Sequence, residues 1–229
     1  MVLAAVLCAC GARVGGDAAV DARPLDAPEC SNGRVVFLSF EGETLTDGAV
    51  SDARSNVASW MTIASGAAPR YRTGAADREQ QIHAIVDGVR AQLASFPIAV
   101  VTARPSAGDY VMVVYGGQAS QVGSPFGAAV QQLDCDDATT RNDVAWVADA
   151  IEPTQAVVNV SIGAIGFGLG LTATTTTTDC MCGWDNACDS DNSLPCTLSS
   201  EIARDPTANQ LCPGNSQDEV AVFRAGFCQ

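Results

Sequence analysis

The side chains able to do chemistry are few, and their spacing argues mostly for architecture. The chain holds one histidine, His83. It falls between Ile82 and Ile85, toward the edge of an apolar helical face, and reads as an ordinary helix-surface histidine. A lone imidazole cannot build a His-rich zinc centre. Cys180, Cys182, Cys188 and Cys196 could hold zinc as four thiolates, but their spacing is not the paired C-x-x-C form. Beyond Cys8 and Cys10 the cysteines are Cys30, Cys135, Cys180, Cys182, Cys188, Cys196, Cys212 and Cys228. An even set in an exported chain reads as a disulfide framework, and spacing does not give the pairing. Asp185, Asp189 and Asp191, with Asn186 and Asn192, could offer oxygens to calcium. They lack the glycine and terminal glutamate of an EF-hand loop and read as a solvated acidic loop. Glu41 and Glu43 lie beside a strand end, where a solvent-facing turn is the simpler reading than an acid/base pair. There is no Gly-x-Ser-x-Gly for a serine hydrolase. Gly163, Gly166, Gly168 and Gly170 do not follow a strand and have no phosphate-binding lysine near them, so they are no dinucleotide loop.

The elements that must position these residues are clearer. Residues 34–40 (Arg-Val-Val-Phe-Leu-Ser-Phe) are rich in β-branched and aromatic side chains and read as a strand. Residues 46–76 read as a polar loop region carrying Trp60 and Tyr71. Residues 77–96 form the best helix, with Ile82, Ile85, Val86, Val89 and Leu93 as its apolar face and Asp77 as N-cap. Strands follow at 98–102, 110–115 and 144–148, and a loop over 118–141 carries Cys135.

The stretch 154–181 organises the rest. It is uncharged from residue 153 to residue 178 and ends in Cys-Met-Cys. Val157, Val160, Ala164, Phe167 and Leu171 recur at helical steps, and Pro153 suits a helix start. The length could span a bilayer, and Gly166 with Gly170 forms a GxxxG pair. Asn159, Ser161, the threonine run and the absence of basic flanks favour a buried core helix instead.

Gly163 to Ala173 (Gly-Ala-Ile-Gly-Phe-Gly-Leu-Gly-Leu-Thr-Ala) resembles the metzincin zinc signature HExxHxxGxxH with its chemistry removed. In that motif two histidines one turn apart bind zinc, a glutamate activates water, and a glycine turns the chain toward a third histidine. The first histidine falls at Gly163, the glutamate at Ala164, the second histidine at Phe167 and the third at Ala173. The framework positions are kept: Gly166, Gly170, Leu171 and, in the Met-turn position, Met181. The wider order of strand, long helix, three strands, helix and Cys-Met turn is similar to exported metallopeptidase-like proteins of Gram-negative bacteria. Val-Val-Phe-Leu-Ser-Phe-Glu-Gly, Val-Thr-Ala-Arg-Pro, Gly-Asp-Tyr-Val-Met-Val-Val-Tyr-Gly-Gly and the Asp134-Cys135 pair carry that likeness over 34–184. The resemblance implies an α/β (α+β) fold: a metzincin-like twisted mixed sheet, one long backing helix, a degenerate active-site helix and a disulfide-rich tail over 180–229. It implies zinc in active relatives and no zinc ligands here, with Phe167 and Ala164 filling the metal cavity.

Residues 1–10 resemble the end of a bacterial lipoprotein signal, with Leu7 and Ala9 before Cys10, the lipidation candidate. The basic n-region is missing, which a start upstream of Met1 would explain. Residues 11–33 read as a flexible tether, and 34–229 as one domain. A formal charge of −14 and a pI near 4.2 disfavour nucleic acid and anionic membrane surfaces. The expected function is therefore a catalytically inactive, exported metallopeptidase-like protein, facing the periplasm or outside the cell. Its expected partners are peptides or proteins, and a lipid anchor would be its only membrane contact. The alternatives are an active zinc peptidase with an atypical metal site and a structural envelope lipoprotein.

Overall fold

A computed structural model describes residues 33–184, 188–208 and 212–228. The export signal, Cys8, Cys10, Cys30, Asp185, Asn186, nearly all of the tether and the side chain of Cys228 lie outside the described residues.

The centre is a five-stranded mixed sheet, built from β1 (Val35–Ser39), β5 (Val100–Val101), β6 (Tyr110–Tyr115), β7 (Ala129–Val130) and β8 (Val144–Val147). Its order is β5-β1-β6-β8-β7, with β7 antiparallel and the other pairings parallel. Side chains alternate across a strand, so each strand feeds two cores. Val36, Leu38, Val111, Val113, Tyr115, Ala145 and Val147 face the helices. Phe37, Tyr110, Met112, Val114, Val144 and Trp146 face the opposite layer, with Leu45, Trp60 and Met61. Burial on both faces explains the continuous apolar run of β6.

The helical layer consists of α1 (Arg78–Leu93), α3 (Thr154–Gly168) and α4 (Glu219–Cys228), while the short α2 (Ala119–Val122) packs on the opposite side against β4. α1 and α3 cross closely at Gly88, where a Cβ would stand 2.7 Å from Val158 Cγ2. Asp77 stands at the N-cap of α1, but its carboxylate makes no capping bond. It accepts instead from Gln81 Nε2 at 3.1 Å, so the expected capping role is corrected. No helix among the described residues is long and apolar enough to cross a membrane. α3 is buried between the sheet, α1 and α4, which accounts for its all-round apolarity.

Two expected loops carry structure. Residues 46–76 contribute to a sheet of order β3-β2-β4, made of β2 (Glu43–Asp47), β3 (Val57–Ala58) and β4 (Ser65–Ala68). Residues 118–141 hold α2, β7 and a 3-10 turn, Cys135–Asp137. These strands are two to five residues long, and their Ser, Gly and Ala content lacks the alternation that marks a half-buried strand. In the tail, β9 (Ile202–Ala203) pairs with β10 (Ser216–Gln217). Among the described residues there are three disulfides: Cys135–Cys212 binds the tail to the body, while Cys180–Cys196 and Cys182–Cys188 close loops within the tail. The latter two engage Cys180, Cys182, Cys188 and Cys196, in keeping with the disulfide reading of that cluster.

Candidate functional site

The candidate site is the C-terminal half of α3 with the Cys-Met turn beneath it. Pro153 provides the N-cap in extended backbone. Within the helix, Ser161 Oγ donates to Val157 O at 2.6 Å. The hydroxyl of Tyr115, 2.7 Å away, therefore donates to Ser161. Asn159 pins the disulfide loop: its Oδ1 accepts from Cys196 N at 3.0 Å and its Nδ2 donates to Leu194 O at 3.0 Å.

The helix ends in a Schellman turn. Leu171 N donates to Gly166 O at 3.0 Å and Gly170 N to Phe167 O at 3.1 Å, with Gly170 at φ +90°. A Cβ at Gly170 would also meet Asp136 N at 2.6 Å, so glycine serves both the turn and the close approach. One turn earlier, a Cβ at Gly166 would stand 2.9 Å from Met181 Sδ and 3.1 Å from Leu171 Cδ1. Gly166, Leu171 and Met181 thus meet at one point, with Gly170 closing the helix just beyond it.

Gly163, Ala164, Phe167 and Ala173 are all buried, and none carries a side chain able to bind a metal. Ala164 belongs to the packed core. The group that occupies the outer face of α3 is Trp184, which the sequence reading did not single out. A Cβ on Gly163 would lie 2.0 Å from Trp184 Nε1, and the Trp184 ring packs on Phe167 with centroids 5.4 Å apart. Phe167 and Ala164 both lie in the core, and Trp184 packs beside Phe167. The only advance signal was the position of Trp184 directly after Cys-Met-Cys-Gly.

Beneath the turn lies a buried acid pair. Asp179 Oδ1 accepts from Met181 N at 2.8 Å and from Thr174 Oγ1 at 3.1 Å, which shapes the turn. Glu219, the first residue of α4, accepts from Ser199 N and Gln217 Nε2, each at 2.8 Å. The two carboxyls meet at Ser199, whose hydroxyl donates to Asp179 Oδ2 at 3.4 Å while its N–H donates to Glu219. Burial, and then the Asp179 charge, push Glu219 up to about 8, and burial also raises Asp179. At neutral pH the pair therefore shares a proton, as two adjacent carboxyls in low dielectric must. Both residues are almost wholly shielded, Glu219 at 0% and Asp179 at 2% exposure, so the pair fastens α4 to the turn. Nothing in the sequence linked Glu219 to Asp179, forty positions earlier in the chain.

A second polar cluster holds the loop that meets Gly170. Arg34 clamps Asp137 through bonds of 3.1 and 3.0 Å, and Asp143 Oδ2 lies at 3.5 Å. Burial pushes Asp143 up to about 8 against the pull of Arg34.

The other candidates fall elsewhere. His83 is exposed on α1. Glu41 pairs with Arg70 at 2.7 Å and Arg78 at 2.8 Å, and its bonds to Arg78, then Arg70, hold its carboxyl below the usual range. Glu43 pairs with Arg104 at 2.8 Å. Both glutamates are committed to ion pairs. Asp191 accepts from the backbone and hydroxyl of Ser193 in an Asx turn. Among the described residues no group of three or more His, Cys, Asp or Glu side chains is arranged to hold a metal ion. No protein-family model matches the chain, and no curated protein matches it.

Proposed function

We propose that this chain is a catalytically inactive, exported relative of the metzincin-like metallopeptidases, and that it binds extended peptide or protein segments without cleaving them. One observation carries the reading. Gly166, Leu171 and Met181 pack together under a Schellman turn at Gly170, while Trp184 and Phe167 fill the face to which the resemblance assigns zinc. A metal site normally contributes folding energy, and apolar packing here supplies cohesion in its place. The sheet lends support of a second kind. β7 is an antiparallel edge strand with one strand neighbour among the described residues, and an unpaired strand edge is a template for an extended peptide. Three disulfides fit an oxidising compartment outside the cytosol, and lipidation at Cys10 would tether the domain there.

The test is zinc content per chain, by elemental mass spectrometry on oxidised protein dialysed against metal-free buffer, together with cleavage of denatured casein. Folded protein without zinc and without cleavage is the expected result. Near-stoichiometric zinc with metal-dependent cleavage overturns the inactive reading. A pull-down with immobilised extended peptides tests the binding half, and failure to retain the protein on any of them removes that half.

A further inference from the structure

A cleft of about 260 Å³ opens between the end of α1, the middle of α3 and α4, away from the Trp184 face. Phe96 and Ile162, both buried, and the Cys180–Cys196 disulfide, whose Cys196 is half-buried, give it an apolar floor, and Gln92 and Ser95 add polar groups to the lining. Leu198 and Val220 form half-buried walls. The walls are braced from behind. Phe96 packs on Phe223 with centroids 5.5 Å apart, and Gln92 Nε2 donates to Cys196 O at 3.0 Å. At the rim stands Arg224, exposed on α4.

Arg224 is unlike the other arginines. Every other arginine among the described residues is engaged by a carboxylate or a carbonyl: Arg90, for example, is held by Val100 O and Arg204 by Cys212 O and Gln217. Arg224 has no hydrogen bond and no ion pair among the described residues. A guanidinium with no ion pair among the described residues, at the mouth of this cleft, is a local cation in a chain of formal charge −14. The net charge repels anions at long range, but at physiological salt that field is screened beyond ~8 Å. Inside that distance the guanidinium decides, and its planar fork matches a carboxylate.

We propose that this cleft binds a small apolar monocarboxylate, with the apolar body on the Phe96–Ile162–disulfide floor and the carboxylate against Arg224. The volume, just below the ~300–1,000 Å³ usual for small-molecule sites, admits a short acyl chain and excludes a large one. The inference is independent of the peptide-binding reading, since it uses another face of the domain.

The experiment is isothermal titration of the oxidised full chain with octanoate below its micelle-forming concentration, and with octanamide and octylammonium. Saturable binding of octanoate is expected, about tenfold tighter than octanamide, with octylammonium weakest. Arg224→Gln should reduce octanoate to the affinity of the amide and leave the amide unchanged; among the described residues Arg224 makes no bond that folding would lose. Val220→Phe, which fills the cleft, should weaken octanoate and octanamide alike. The proposal is overturned by an absence of saturable octanoate binding, by octylammonium binding as well as octanoate, by an undiminished carboxylate preference in Arg224→Gln, or by unchanged binding in Val220→Phe.

Discussion

Gly163 inverts the usual rule for glycine in a helix. In an exposed helix, Gly→Ala stabilises by up to ~1 kcal/mol. Here the added methyl would stand 2.0 Å from Trp184 Nε1 and 2.6 Å from Cys180 O. Gly163→Ala should therefore destabilise by about 1–3 kcal/mol, the range for overpacking, measured by urea unfolding. In a Trp184→Ala background the cost should shrink, since the nearest obstacle is gone. An equal cost in both backgrounds would mean that the indole contact is not the cause. Gly170 differs in kind, because its φ of +90° disfavours any side chain and a Cβ would also meet backbone at 2.6 Å. Gly170→Ala should cost stability whatever its neighbours are trimmed to, and a Gly170→Ala protein as stable as wild type would remove the Schellman turn from this account.

Among the elements, α4 is fastened by its first residue. The folded-state pKa of Glu219 is raised to about 8, so between pH ~4.5 and about 8 the folded state binds protons that the unfolded state has released. Its stabilising share is complete below ~4.5 and is lost as pH rises through about 8. Asp143, also raised to about 8, acts in the same direction. The melting temperature should consequently fall from pH 5 to pH 8. Glu219→Gln keeps an acceptor for Ser199 and removes the titration, so it should flatten part of that fall and be relatively more stable at pH 8 than at pH 5. A wild-type melting temperature that rises over this interval would contradict the protonated pair. α3 depends on the opposite device: it carries no charge from Thr154 to Gly168, and its Asn159 and Ser161 are satisfied internally.

The molecule as a whole is closed by cross-links of very different span. Cys135–Cys212 joins residues 77 positions apart and ties the loop before β8 to the tail, whereas Cys182–Cys188 closes a separation of 6. Loop-closure entropy grows with span. Replacing both cysteines of the long link by alanine should cost roughly 4 kcal/mol, and the same change in the short link roughly 2 kcal/mol, by denaturant titration. A larger loss from the short link would show that Cys182–Cys188 acts through the folded state, for example by holding Trp184 on α3. At this scale the zinc measurement also belongs. A domain whose central helix is cemented by Trp184, Phe167 and Met181 should unfold at the same temperature with and without a chelator.

The amino-acid sequence alone determined strands at 34–40, 110–115 and 144–148, the long helix α1 and the buried character of α3. Each is written in a period of two or near 3.6, or in an unbroken apolar run. That period reports directly which faces leave water. It also supplied the mixed α/β class, the even cysteine set and the absence of a histidine cluster. The short strands β2–β4 and β7 were invisible, because runs of two to five residues such as Ser-Gly-Ala-Ala and Val-Ala are too short to carry a period. The path of the chain decided everything that depends on distant partners. Among the described residues it selected three disulfide pairings, brought Trp184 onto Gly163, joined Asp179 to Glu219, and set Arg224 at the mouth of the α1–α3–α4 cleft. Local pattern is a property of a few consecutive residues, whereas tertiary contacts join segments up to 109 positions apart, as between Arg34 and Asp143. Only packing in three dimensions chooses among the many partners that composition allows.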